Sequence, residues 1–186
     1  MNEVTKLRLF VAVDAPEDQL ARLNHAIAPL KEQHEKARWL PPANQHVTLK
    51  FLGSTPSDRF DAVKEVIDVV ARSHAPAEVS VAGLGAFPSP RRARVLWAGI
   101  DDPASLLTGL AADLAGAFEP LGYRAEARAF TPHLTLARFK VPARLEGLPE
   151  GPAFDPFVVD RVLLYLSRLH PHGARYEVLD RFALSG

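Results

Sequence analysis

Histidine followed two residues later by threonine occurs twice in this 186-residue chain, once in each half. The copies are His46-Val47-Thr48-Leu49-Lys50-Phe51 and His133-Leu134-Thr135-Leu136-Ala137-Arg138-Phe139. Side chains alternate faces along a strand, so each copy can bury its apolar positions and offer an imidazole and a hydroxyl on the opposite side. If the two copies face one cleft, two histidines and two threonines converge, which suits attack on a phosphorus centre. A neutral imidazole takes a proton from the incoming water or hydroxyl, and a protonated one gives a proton to the departing oxygen. A pKa near 6.5 makes both forms accessible at neutral pH. The threonine hydroxyls can donate to the non-bridging phosphoryl oxygens, where charge must be held during transfer. The residues alone do not say which histidine is acid and which is base. Two histidines are too few for a metal site, and neither copy carries Asp or Glu at a helpful spacing, so no metal and no other cofactor is expected.

Other side chains are candidate substrate contacts. Lys50 shares the alternating face of His46. Arg91, Arg92 and Arg94 flank the Pro88-Ser89-Pro90 loop and read equally as a solvated charge run or as contacts for a phosphodiester backbone. Aromatic rings stack bases of any identity. Trp39 and Phe130, which precede the two motifs, are placed for the mouth of the cleft, whereas Phe51 alternates toward the core; Phe10 and Phe87 are also available. His25, His34 and His74 fall in or beside helical stretches and read as solvated. His170 and His172 lie in a turn and are secondary candidates.

The elements that must position these residues are legible from apolar periodicity. Strands are expected over 7–13, 47–52 (ended by Gly53), 78–84, 95–98, 134–139, 157–167 and 175–184. Helices are expected over about 16–33, 57–73 and 103–118, with a turn-rich stretch from 141 to 156. This is an α+β or mixed pattern with many strands and two or three helices, expected as one domain over 1–186 made of two similar lobes with one His-x-Thr motif in each. The last third lacks the strand–helix alternation of a doubly wound nucleotide fold. Dinucleotide and Walker phosphate loops, a zinc-protease helix motif and a hydrolase nucleophile elbow are absent from the sequence.

Composition narrows the function further. The 22 Lys plus Arg balance 22 Asp plus Glu, for a net charge of +0. That excludes a polycationic sleeve around a duplex and leaves room for a local basic pocket. The absence of Cys excludes disulfides, thiolate metal sites and a cysteine nucleophile. The opening residues do not read as a secretory leader, and no apolar run approaches the roughly 18 residues of a membrane span. A soluble cytoplasmic protein is expected, with no membrane and no obligate protein partner.

On these motifs the chain resembles the 2H phosphoesterase superfamily, and within it the bacterial and archaeal RNA 2',3'-cyclic phosphodiesterases, also called 2'-5' RNA ligases. The resemblance spans essentially the whole chain. It runs from Arg8-Leu9-Phe10-Val11-Ala12-Val13 through Arg38-Trp39-Leu40 and His46-Val47-Thr48-Leu49-Lys50-Phe51-Leu52-Gly53. It continues through Thr131-Pro132-His133-Leu134-Thr135-Leu136-Ala137-Arg138 to Gly173-Ala174-Arg175-Tyr176-Glu177-Val178-Leu179. It implies a bilobal α+β fold with antiparallel sheets lining a central cleft and helices outside, and metal-independent opening of an RNA 2',3'-cyclic phosphate to a 2'-phosphate, with 2'-5' ligation as the related reaction. It further implies His133 as general base, His46 as general acid protonating the ribose 3'-oxygen, and Thr48 and Thr135 as phosphate holders. Arg138 enters as a phosphate or strand ligand, although strict alternation points it away from Thr135 unless the strand bends. Two other functions fit the same cleft. One is a phosphodiesterase for small nucleotide or ADP-ribose cyclic phosphates. The other is a noncatalytic RNA-end binding module, which would not need an acid and base pair.

Overall fold

The computed structural model of the chain describes residues 5–124, 126, 128–145, 148, 154–170 and 173–186. In chain order the strands are β1 (Lys6–Asp14), β2 (Arg38–Trp39), β3 (His46–Pro56), β4 (Ala77–Phe87), β5 (Ala93–Asp101), β6 (His133–Ala143), β7 (Phe157–Val159), β8 (Arg161–His170) and β9 (Gly173–Ala183). The helices are α1 (Glu17–Ala26), α2 (Ala28–Gln33), α3 (Phe60–Arg72) and α4 (Leu106–Phe118). The strands form one curved antiparallel sheet in the order β7-β4-β5-β6-β3-β1-β8-β9, with the short β2 paired to β6. The two motif strands, β3 and β6, are central neighbours, each with three further strands outside it.

One face of the sheet carries the core. Leu9, Val11 and Val13 of β1, Val47 and Leu49 of β3, and Leu134 and Leu136 of β6 are buried in one cluster with helix residues that include Leu23, Ile67, Leu110 and Leu114. Removing those apolar surfaces from water is the main force that fixes the helices on this side. The other face carries a small cluster of Phe10, Ala12, Leu163 and Tyr165, with Tyr176 and Val178 packed against it. β1 therefore reads as a continuous buried run because both its faces are covered.

Three elements differ from expectation for identifiable reasons. The helix expected over 16–33 breaks at Ile27, because Pro29 has no N–H to donate to the His25 carbonyl and its ring crowds that turn. β3 runs past Gly53, which takes a positive φ of 70° beside a register shift and so bends the strand without ending it. The strand expected over 157–167 is split at Asp160: β7 pairs with β4, while β8 pairs with β1 and β9. The sheet must curve for consecutive strands to serve positions so far apart in its order.

Candidate active site

Val47 of β3 pairs with Leu134 of β6, the middle residues of the two motifs. Both are buried, at 2% and 0% exposure, so the flanking residues of each motif face the other side of the sheet together. Continuing that antiparallel register sets His46 beside Thr135 and Thr48 beside His133. The four side chains thus occupy the corners of a rectangle, with the histidines on one diagonal. Strand spacing of roughly 5 Å and a two-residue rise of roughly 7 Å leave a gap between the imidazoles that a phosphoryl group can fill. All four line one cleft of about 890 Å³.

A bulge in each strand decides what else reaches the cleft. Ala12 pairs with Thr48 and Val11 with Lys50, which leaves Leu49 as the extra residue of β3. Trp97 pairs with Thr135 and Leu96 with Ala137, which leaves Leu136 as the extra residue of β6. Each bulge reverses the alternation after it. Lys50 and Ala137 turn inward, at 1% and 0% exposure, while Phe51 and Arg138 turn out into the cleft. The expectations for three residues are corrected by this one device. Lys50 does not share the face of His46; its ammonium is buried and donates to the Arg124 carbonyl. Phe51 is 40% exposed rather than core. Arg138 lies on the side of His133 and Thr135, because the strand bends as alternation required.

Of the other sequence candidates, Trp39 lines the cleft; β2 holds it in place by pairing with Ala137, and its indole N–H donates to the His34 carbonyl. Phe130 instead packs against the core. Arg91, Arg92 and Arg94 are exposed at the start of β5 and do not line the cleft, since the turn over 90–92 precedes the residues of β5 that pair with the motif of β6. His170 lines the cleft and His172 lies outside the described residues. His25 is exposed. His74 is not simply solvated: its Nε2 sits 2.9 Å from an Asp113 carboxylate oxygen, joining α3 to α4. Arg8, Arg38, Arg175 and Tyr176 also line the cleft. Their spacing singles none of them out in the sequence, since the strands that carry them meet only through long-range pairing.

The chain matches the family model described as LigT like Phosphoesterase over residues 13–97 and 99–176. The chain belongs to the LigT-like phosphoesterase family, within the 2H phosphoesterase superfamily. It is 32% identical over 185 residues to the RNA 2',3'-cyclic phosphodiesterase of Methanothermobacter thermautotrophicus, covering 96% of this chain and 100% of that protein. It is 34% identical over 187 residues to the RNA 2',3'-cyclic phosphodiesterase of Thermus thermophilus, covering 97% and 91%. Among solved structures, TT0787 of Thermus thermophilus superposes with a TM-score of 0.82 at 32% identity, covering 97% of this chain and 99% of that one. E. coli LigT complexed with 3'-AMP superposes with a TM-score of 0.81 at 26% identity, covering 98% and 100%.

In this LigT-like phosphoesterase the two imidazoles sit in different surroundings. His46 stacks on Phe10, with centroids 4.8 Å apart, and on Tyr165 at 5.5 Å, while Tyr176 meets it edge-on at 5.1 Å. The Tyr165 hydroxyl donates to an Asp14 carboxylate oxygen at 2.6 Å, which fixes the ring beneath the imidazole. Burial raises the Asp14 carboxyl above its usual range, partly offset by that hydrogen bond. Burial also pushes the His46 imidazole down to about 4, since the apolar rings around it disfavour its charged form. His133 is shifted down by burial and, to a lesser degree, by Arg138, against a hydrogen bond that favours its protonated form. That bond runs from Nδ1 to the Thr131 carbonyl at 2.7 Å; Nδ1 is the donor, so the neutral ring keeps its lone pair on Nε2. Phe87 packs edge-on against this second imidazole at 5.2 Å, and Trp97 lies 6.1 Å from it. The Trp97 indole requires a glycine at position 85, where a Cβ would come within 2.2 Å of it.

Among the described residues, no three His, Asp or Glu side chains group to hold a metal ion, and no helix is long and apolar enough to cross a membrane.

The low pKa of His46 carries a stability consequence. In the unfolded chain the imidazole accepts a proton near pH 6.5, but in the fold only near 4. Its contribution is therefore fully present above pH 6.5 and is lost as the pH falls toward 4. The melting temperature of a His46→Gln variant should decline less steeply than that of the wild type between pH 7 and pH 4.5. Parallel declines would refute a desolvated His46.

Proposed function

We propose that the chain hydrolyses RNA 2',3'-cyclic phosphate ends to 2'-phosphomonoesters, with its two halves acting as similar lobes of one domain and no metal taking part. The observation that carries this reading is the pairing of Val47 with Leu134, which sets His46, Thr48, His133 and Thr135 around one phosphate-sized gap. His133 Nε2 takes a proton from water as the water oxygen bonds to phosphorus. The bond from phosphorus to the 3'-oxygen breaks, and His46 donates its proton to that oxygen. The 2'-oxygen keeps the phosphate. Thr48 and Thr135 donate hydrogen bonds to the two non-bridging oxygens, and Arg138 supplies positive charge on the same face.

His46 is neutral in the empty cleft at pH 7, so its proton must accompany the substrate. A phosphodiester anion entering beside a buried imidazole favours the charged form, which makes His46 an acid only when there is a leaving group to protonate. With a ribose 5'-hydroxyl replacing water, the same groups serve 2'-5' ligation.

The test is incubation of the purified protein, in EDTA, with an oligonucleotide ending in a 2',3'-cyclic phosphate. The expected product is a 2'-phosphomonoester, identified by mass and phosphatase sensitivity. A 3'-phosphate product, or turnover only after metal is restored, would overturn the proposed regiochemistry or metal independence respectively. Turnover confined to ADP-ribose cyclic phosphate would move the substrate to the small-nucleotide class.

A further inference from the structure

The cleft does not end at Phe51. On the far side of that ring a second groove of about 470 Å³ opens, lined by Gly53, Ser54, Arg59, Tyr123 and Arg124 among others, and Phe51 lines both spaces. We propose that this groove binds the nucleotide on the 5' side of the reacting RNA end, so that the protein prefers a strand to a mononucleotide. The inference rests on the phosphodiesterase reading given above.

A 2',3'-cyclic phosphate closes the 3' end of its strand, so every further nucleotide lies on the 5' side and leaves the cleft over one of its rims. The cleft face of β3 runs from His46 through Thr48 to Phe51, and then to Gly53 and Ser54 at the groove. Thr48 and Phe51 sit opposite Ala12 and Phe10 of β1, so they are roughly 7 Å apart along the sheet, the span of one nucleoside before the junction. Phe51 is 40% exposed there, and the Arg8 guanidinium carbon stands 4.6 Å from its ring centroid. An exposed aromatic ring with a guanidinium over one face is a surface on which bases of any identity stack.

Charge in the groove suits a phosphodiester. Arg59 and Arg124 are both exposed, against one lining carboxylate, Glu126. Arg59 is held in place by donating to the Leu121 carbonyl at 2.9 Å. Arg124 is held by its backbone, since its carbonyl accepts the buried Lys50 ammonium. The motif lysine that the β3 bulge turns away from the cleft thus becomes a positioning residue: it pins the segment that presents Arg124 to the groove.

The experiment compares kcat/KM for a nucleoside 2',3'-cyclic phosphate with that for a dinucleotide carrying the same terminal cyclic nucleotide, at low salt. The wild type should favour the dinucleotide by tenfold or more. The Arg59→Ala/Arg124→Ala double variant should bring that ratio close to one, while Arg38→Ala/Arg175→Ala, at the other end of the cleft, should preserve it. Equal turnover of the two substrates by the wild type would overturn the subsite alone. So would a ratio that collapses in the Arg38/Arg175 variant and survives in the Arg59/Arg124 variant, which would send the strand out past the β8–β9 hairpin. No turnover of either substrate would instead overturn the phosphodiesterase reading, and the subsite with it.

Discussion

Replacing His133 with alanine should lower kcat on an RNA 2',3'-cyclic phosphate end by roughly 10²–10⁴-fold, the usual worth of a positioned general base, while KM changes severalfold at most. His46→Ala should lose a comparable factor. Truncating an imidazole leaves Arg138, Trp39 and the rest of the cleft lining in place, so the interaction removed should matter chiefly in the transition state. A measured loss confined to KM would sink the catalytic assignment and favour a binding module.

The two variants should differ when the leaving group is changed. Sulfur in place of the bridging 3'-oxygen departs without needing a proton. A substrate with that replacement should restore most of the turnover of His46→Ala and little of that of His133→Ala. The Thr131 carbonyl fixes the tautomer of His133 with Nε2 free to accept, as a base requires; His46 lies among apolar rings that disfavour its charge, so it can serve as the acid only with the phosphodiester anion bound beside it. Sulfur rescue of His133→Ala in place of His46→Ala would exchange the roles.

Much of this site could be read from the sequence because its two motifs are local and strand alternation is a local rule. His46, Thr48, His133 and Thr135 are two residues apart within each strand, and nothing interrupts the alternation between them. One residue further on the rule fails. Leu49 and Leu136 are ordinary apolar residues, and nothing in their side chains announces that each will be an unpaired bulge; that follows from how β1 and β5 pair alongside. Hence Lys50 and Phe51 exchange faces, and Arg138 reaches the cleft. Arg8, Arg175 and Tyr176 were invisible as site residues for a related reason: the pairing of β1 with β3 and of β8 with β9 brings them to the cleft, and no spacing within one strand encodes such pairing. The break between α1 and α2, by contrast, is written in Pro29. The bulge occurs in both motif strands, where one turns Phe51 to the cleft and the other Arg138.

The same relation between the halves predicts how the threonines divide their work. Because Val47 pairs with Leu134, Thr48 and Thr135 stand at opposite corners of the gap, and each hydroxyl should serve one of the two non-bridging oxygens. Thr48→Val and Thr135→Val should each lower kcat by roughly 10²-fold, the order found for a single donor to a developing oxyanion, and Thr→Ser should keep most of the activity. Sulfur accepts hydrogen bonds poorly, so replacing one non-bridging oxygen makes the threonine that serves it dispensable. With the two diastereomers of a 2',3'-cyclic phosphorothioate, Thr48→Val should be nearly silent on one isomer and costly on the other, and Thr135→Val should show the reverse preference. Two variants sharing the same isomer preference would place both hydroxyls on one oxygen and overturn this division of work across the Val47–Leu134 pairing.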